Sequence, residues 1–179
     1  MIISRGGRRA AIRTDESSAV YVGTHVARCE RAGPAEPVRA VRAVVELSRA
    51  LGGMTMRALL GAEFSPDPSG SATEFEVPFD EPLGLGAVAH AHCRSELGRS
   101  LVAGLPGDFA AAVLDGLAGE AAARTLPRGL LRIDRAGFDE AGSSEMAFKL
   151  AGGLLRCVVE ALLHGDDPLV AAQAVVSGW

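Results

Sequence analysis

Aromatic side chains are scarce: 4% of the 179 residues, with one Trp (Trp179) and one Tyr (Tyr21). The core must therefore be aliphatic, and a base-stacking platform for single-stranded nucleic acid is disfavoured. Cysteine is limited to Cys29, Cys93 and Cys157, scattered and without a CxxC spacing. That is too few for a zinc ribbon, and the odd count fits a reduced, cytoplasmic protein. Lys149 is the single lysine among 18 basic residues. With so much Ala and Gly, this points to the GC-rich codon usage of a GC-rich bacterium rather than to a function. No uncharged apolar run is long enough to span a bilayer, so no membrane partner is expected. Arg8-Arg9 hints at a twin-arginine signal, but the polar Thr14-Asp15-Glu16-Ser17-Ser18 stands where an apolar segment would have to follow.

What is present is an ordinary globular composition, 48% apolar and 22% charged, in a length that suits one domain or two very small ones. The net charge of −4 is unevenly spread. Residues 1–60 sum to about +5 and residues 61–179 to about −9, which excludes a generic nucleic-acid glove from the C-terminal two-thirds.

Along the chain, residues 1–9 read as a mobile basic arm carrying Arg5, Arg8 and Arg9, with Arg13 just beyond. Arg9–Arg13 and Ala19–Cys29 have strand character. The spacing of Val38, Val41, Val44, Val45 and Leu47 predicts a helix over Pro37–Leu51. Met54–Phe64 leans to strand. The Pro/Ser/Gly-rich stretch Ser65–Ser71 is the clearest break and divides the chain into 1–70 and 71–179. Beyond it, Phe75, Val77 and Phe79 alternate with Glu74 and Glu76, predicting a half-solvated strand over Thr73–Phe79. Ala87–Arg94 and Arg99–Ala103 read as a hairpin. Leu105–Asp108 opens a helix running to about Ala123, and Leu130–Arg135 reads as a strand. The longest helix follows Gly142 to about His164, with nine apolar positions in a 3.6-residue period from Ala147 to Leu163. A short tail helix follows. The order from residue 73 is β-β-β-α-β-α, an α+β arrangement with helices on one face of a small mixed sheet.

Phe138-Asp139-Glu140-Ala141-Gly142-Ser143-Ser144-Glu145-Met146-Ala147-Phe148-Lys149-Leu150-Ala151-Gly152 resembles the hallmark segment of domain IV of elongation factor G, where a loop tip runs into a helix. Leu105–Val113 is similar to the start of that domain's first helix. The resemblance covers roughly Pro82–Pro168. It implies a four-stranded sheet with two helices on one face and a left-handed βαβ crossover; the strand and helix pattern of residues 1–70 adds an N-terminal β-β-α-β extension outside the resemblance. It also implies loop tips that enter the decoding site of the small ribosomal subunit: Gly84 and Gly86 in one loop, and Phe138, Asp139, Glu140, Ser143 and Ser144 in the other. The GTPase that drives that lever has no counterpart, because no GxxxxGK[ST] is present. Two departures bear on the tips. The family's tip histidine is replaced by Asp139, an anion that would repel rRNA together with Glu140, Asp80 and Glu81. Gly142 stands where the family has its N-cap aspartate, so a reciprocal Asp-to-Glu cap is lost.

Other chemistry is thin. His90 and His92 would share one strand face and can chelate a zinc ion if His164, Asp139 or Glu140 supplied a third ligand; the plainer reading is a half-exposed strand with incidental polar residues. Cys157 falls on the apolar helix and reads as buried and inert. Ser143-Ser144 reads as helix capping before anion binding. Lys149 can pair with Glu145 one turn earlier. Gly152-Gly153 inside a helix, costly by about 1 kcal/mol each against Ala, reads as close helix packing.

These observations lead to a non-catalytic binding module with no cofactor. Its expected partner is the small ribosomal subunit or another protein. A homodimeric assembly protein is the alternative, motivated by the charge split. A metal-dependent enzyme using His90 and His92 is the second.

Overall fold

The computed structural model describes residues 1–14, 23–80, 91–119 and 124–179. One mixed sheet runs through them in the order β1-β2-β4-β5-β9-β6-β3, with the short pair β7 and β8 attached to β9. The strands are β1 (Ile2–Arg5), β2 (Arg8–Arg13), β3 (His25–Arg31), β4 (Val41–Leu51), β5 (Met54–Pro66), β6 (Thr73–Phe79), β7 (His92–Cys93), β8 (Leu101–Ala103) and β9 (Gly129–Phe138). Helices α1 (Gly107–Ala118), α2 (Glu145–His164) and α3 (Pro168–Gly178) cover one face. The architecture is α+β. The expected four-stranded sheet with two helices is corrected to nine strands and three helices among the described residues.

The N-terminal 70 residues account for most of the difference. Instead of a mobile arm, β1 and β2 form a hairpin around Gly6-Gly7, and β4 and β5 form a second one around Gly52-Gly53. Both glycines of each turn have positive φ (51° and 81°, then 58° and 84°), the conformation a two-residue turn needs to match the twist of its strands. Among the described residues the extension thus has strands β1 to β5 and no helix, not β-β-α-β. The helix predicted over Pro37–Leu51 is the strand β4. Ala43, Val45 and Leu47 face the helices, while Val44, Glu46 and Ser48 face the other way and are also buried. A strand covered on both sides shows an unbroken apolar run instead of alternation, and that run imitates a helical stripe.

From Thr73 onward the elements follow the expected order. β6 and β9 are parallel neighbours joined through α1, and β9 lies between β5 and β6. On the helical side Leu60, Phe64, Phe75, Leu131 and Ile133 meet Phe148, Leu154, Leu155 and Val158, all essentially inaccessible. α1 and α2 cross at glycine. A Cβ on Gly116 would lie 2.3 Å from the Lys149 carbonyl oxygen and one on Gly152 would lie 2.8 Å from that of Val113. Lys149 bridges to Asp115 of α1 at 3.5 Å, where a pair with Glu145 was expected. Ser144 is the N-cap of α2, its Oγ accepting from the Ala147 amide. The cap therefore sits two residues beyond Gly142.

The opposite face of the sheet is divided. Over β2, β4 and β5, the segment 91–103 lies on it and closes a small second core of Val44, Leu59, Leu101 and Cys93. Toward β6 and β3 the face is charged, with the buried Glu76 paired to both Arg28 and Arg132, whose side chains stay exposed.

Candidate functional site

One end of the sheet gathers three chain segments: the β4–β5 turn, the loop between β9 and α2, and the strap formed by residues 94–100. They are joined by a charge network with a buried centre of Glu46, Arg57 and Asp139 and an exposed Arg99. Asp139, the first residue after β9, turns inward and is 6% exposed. Its Oδ2 accepts from Arg57 Nη1 at 3.1 Å and from Arg99 Nε at 3.0 Å. Its Oδ1 accepts from Arg99 Nη2 at 2.9 Å and from the amides of Ala141 and Gly142, both at 3.1 Å. The last two bonds form the local turn that short carboxylates favour. The Arg99 fork, with the amides and Arg57, outweighs burial and holds the Asp139 carboxyl down at about 2.

Arg57 is the hub. It rises from β5 close to the β4–β5 turn, 6% exposed. Its Nη2 donates to Glu46 Oε1 of β4 at 3.3 Å, to Ser95 Oγ at 2.9 Å and to the Arg99 carbonyl at 2.7 Å. Glu46 in turn accepts from Ser95 Oγ at 2.5 Å and from the Glu96 amide at 2.8 Å. Backbone bonds finish the joint: the Arg57 amide donates to the Gly142 carbonyl at 2.9 Å, and Ser143 Oγ donates to the Arg57 carbonyl at 2.6 Å. The loop 139–143 and the strap are therefore fixed to β5 by charge-assisted bonds, those among Glu46, Arg57 and Asp139 sheltered from solvent and that of Arg99 at the surface. Beside them lies an open groove of about 390 Å³, walled by Met54, Thr55, Leu97, Arg99, Asp139 and Gly142. Met54 is 72% exposed on its rim.

The residues singled out from sequence are scattered by this arrangement. Asp139 is not a projecting anion: two guanidinium groups surround it, which corrects the expected repulsion at that position. Phe138 points into the helical core. Glu140 is exposed, Ser143 staples the loop and Ser144 caps α2. Gly84, Gly86 and His90 lie outside the described residues. His92 is exposed on β7, and among the described residues no three metal-ligating side chains converge. The arginines of the expected arm belong to the sheet. Arg8 donates to the Ser177 carbonyl at the end of α3, Arg9 donates to that of Leu97 in the strap, and Arg13 pairs with Glu96 at 3.7 Å. Arg5 ends β1, exposed.

Sequence reasoning missed Arg57, Glu46, Arg99 and Ser95. A signal existed for the first two. Each is a lone charge in an apolar run, of opposite sign, on either side of Gly52-Gly53, and the hairpin register brings them diagonally together on one face. Burial is the main cause pushing each of Cys29, Cys93 and Cys157 above the ordinary range. No described helix is long and apolar enough to cross a membrane. No protein-family model matches this chain, and no curated protein does.

Proposed function

We propose that this chain is a non-catalytic binding module, similar to domain IV of elongation factor G, whose recognition end is the junction of the 139–144 loop, the 94–100 strap and the β4–β5 turn. The small ribosomal subunit is its first candidate partner. The observation that carries the reading is the pinning of the loop: five hydrogen bonds to the Asp139 carboxylate fix it before any partner arrives. A preorganised loop spends less of its binding energy on ordering. The Asp139 carboxylate is held ionised far below neutral pH, which suits a strut and not a proton shuttle. The charges of Glu46, Arg57, Asp139 and Arg99 cancel one another, which leaves Glu140 as the exposed acid of the loop.

The test is co-sedimentation of the purified chain with small and large ribosomal subunits at low and moderate salt. Stoichiometric pelleting with the small subunit that survives moderate salt supports the assignment. Absence of pelleting, or pelleting lost on a modest rise in salt, overturns the ribosomal partner.

A further inference from the structure

β3 is an edge strand. Among the described residues only β6 pairs with it, and its outer side is open from Val26, 40% exposed, to Arg31. An edge left open among the described residues is a template for another strand, and folded proteins ordinarily cover or blunt such edges. The charge pattern of this one is unusual. Glu30 stands directly opposite Glu74 of β6, and its side chain makes no ion pair among the described residues. Like charges facing each other across strands are unfavourable, so Glu30 lacks a cation on its open side. Arg28, two residues earlier on the same face, is bonded to Glu76 but keeps 65% of its side chain exposed.

We propose that β3 pairs antiparallel with β3 of a second copy, about a two-fold axis passing through Cys29. Such an axis, perpendicular to the sheet, keeps the helices of both copies on one face and pairs residues of the same parity. Three central registers are then available. One centred on Arg28 sets arginine against arginine, and one centred on Glu30 sets glutamate against glutamate. The register centred on Cys29 sets Arg28 of each copy against Glu30 of the other, twice, and gives both glutamates the cation they lack. It also places α1 of the two copies on either side of the axis, because α1 lies over β3 and β6. The open groove of about 410 Å³ beside this edge is walled in part by Ala111 and Leu114 of α1, apolar surface that this arrangement covers. Cys29 faces Cys29 across the axis, at the Cα separation of directly opposed strand residues, which falls within disulfide reach.

The cysteine makes the geometry readable. Sedimentation velocity over a wide concentration range reports the dimer. Diamide, which takes two electrons and two protons from a pair of thiols, then joins the copies, and mass spectrometry identifies the linked peptides. The expected product is a Cys29–Cys29 disulfide, absent in Cys29→Ser, whose non-covalent dimer persists. Glu30→Arg replaces both ion pairs by repulsions while setting an arginine opposite Glu74, so the monomer is expected to fold. Self-association weakens about tenfold or more. A monomer at every concentration overturns the proposal. So does a dimer indifferent to Glu30→Arg, or one whose disulfide joins other cysteines. Were Glu30→Arg to unfold, the cross-link in the unsubstituted chain decides alone.

Discussion

Arg57 and Asp139 stand 82 residues apart in sequence and meet at 3.1 Å with both side chains buried. That contact ties the loop before α2 to the centre of the sheet. Breaking a buried pair from one side strands the remaining charge, which typically costs several kcal/mol. Here Arg57 keeps Glu46, so Asp139→Ala is expected to cost about 2–4 kcal/mol in urea unfolding. Asp139→Asn costs less, because an amide oxygen still accepts from Ala141 and Gly142.

The same carboxylate sets a pH dependence. Its folded-state value of about 2 lies below its ordinary 3.8, so it stabilises the fold above the ordinary value. That contribution, about 2 kcal/mol, is lost as pH falls from roughly 4 toward 2. Thermal unfolding across this window should show a steep acid limb that flattens in Asp139→Asn. An equally steep limb in the variant would assign it to other carboxylates.

The glycines at the helix crossing separate packing from propensity. Gly152→Ala puts a Cβ against the Val113 carbonyl and Gly116→Ala puts one against that of Lys149, so both are expected to destabilise despite a propensity gain of about 1 kcal/mol. At Gly153 the nearest atom to a Cβ is 3.8 Å away, so Gly153→Ala is expected to stabilise by about 0.5–1 kcal/mol. Chemical denaturation of the three single variants reads the contrast.

Arg156 of α2 serves a helix that lacks its own C-terminal cation. Its Nη1 donates to the carbonyls of Leu117 and Gly119, and its Nη2 donates to that of Arg124. Arg156→Met leaves these acceptors unpaired where α1 ends, at an expected cost of about 2–3 kcal/mol. Amide exchange should quicken first in the last turn of α1.

At the recognition end, Glu140 is the exposed acid of the loop and Met54 the most exposed apolar side chain of the junction. Glu140→Lys is expected to raise affinity for an RNA surface several-fold and to lower it for a basic protein partner. Met54→Glu lowers both. Pelleting or fluorescence titration distinguishes the two partners by the sign of the Glu140 effect.

The elements of residues 73–179 were legible because each carries a signal of its own. Glu74 and Glu76 alternate with Phe75 and Val77, and α2 repeats apolar residues every 3.6 positions. Ser143-Ser144 marks a helix start. β4 was not legible, because its second face is buried under a strap contributed by residues 91–103. The role of Asp139 was hidden for the same reason. Read along the chain it is an acid at a loop tip. The register of β5 against β9 and the descent of the strap set Arg57 and Arg99 around it. Local sequence thus determined the α+β character, the long helix and the segment that joins β9 to it. Only the tertiary structure decided which charges are buried together, because burial and ion pairing depend on strand register and on what covers the second face. Neither is encoded within any one segment.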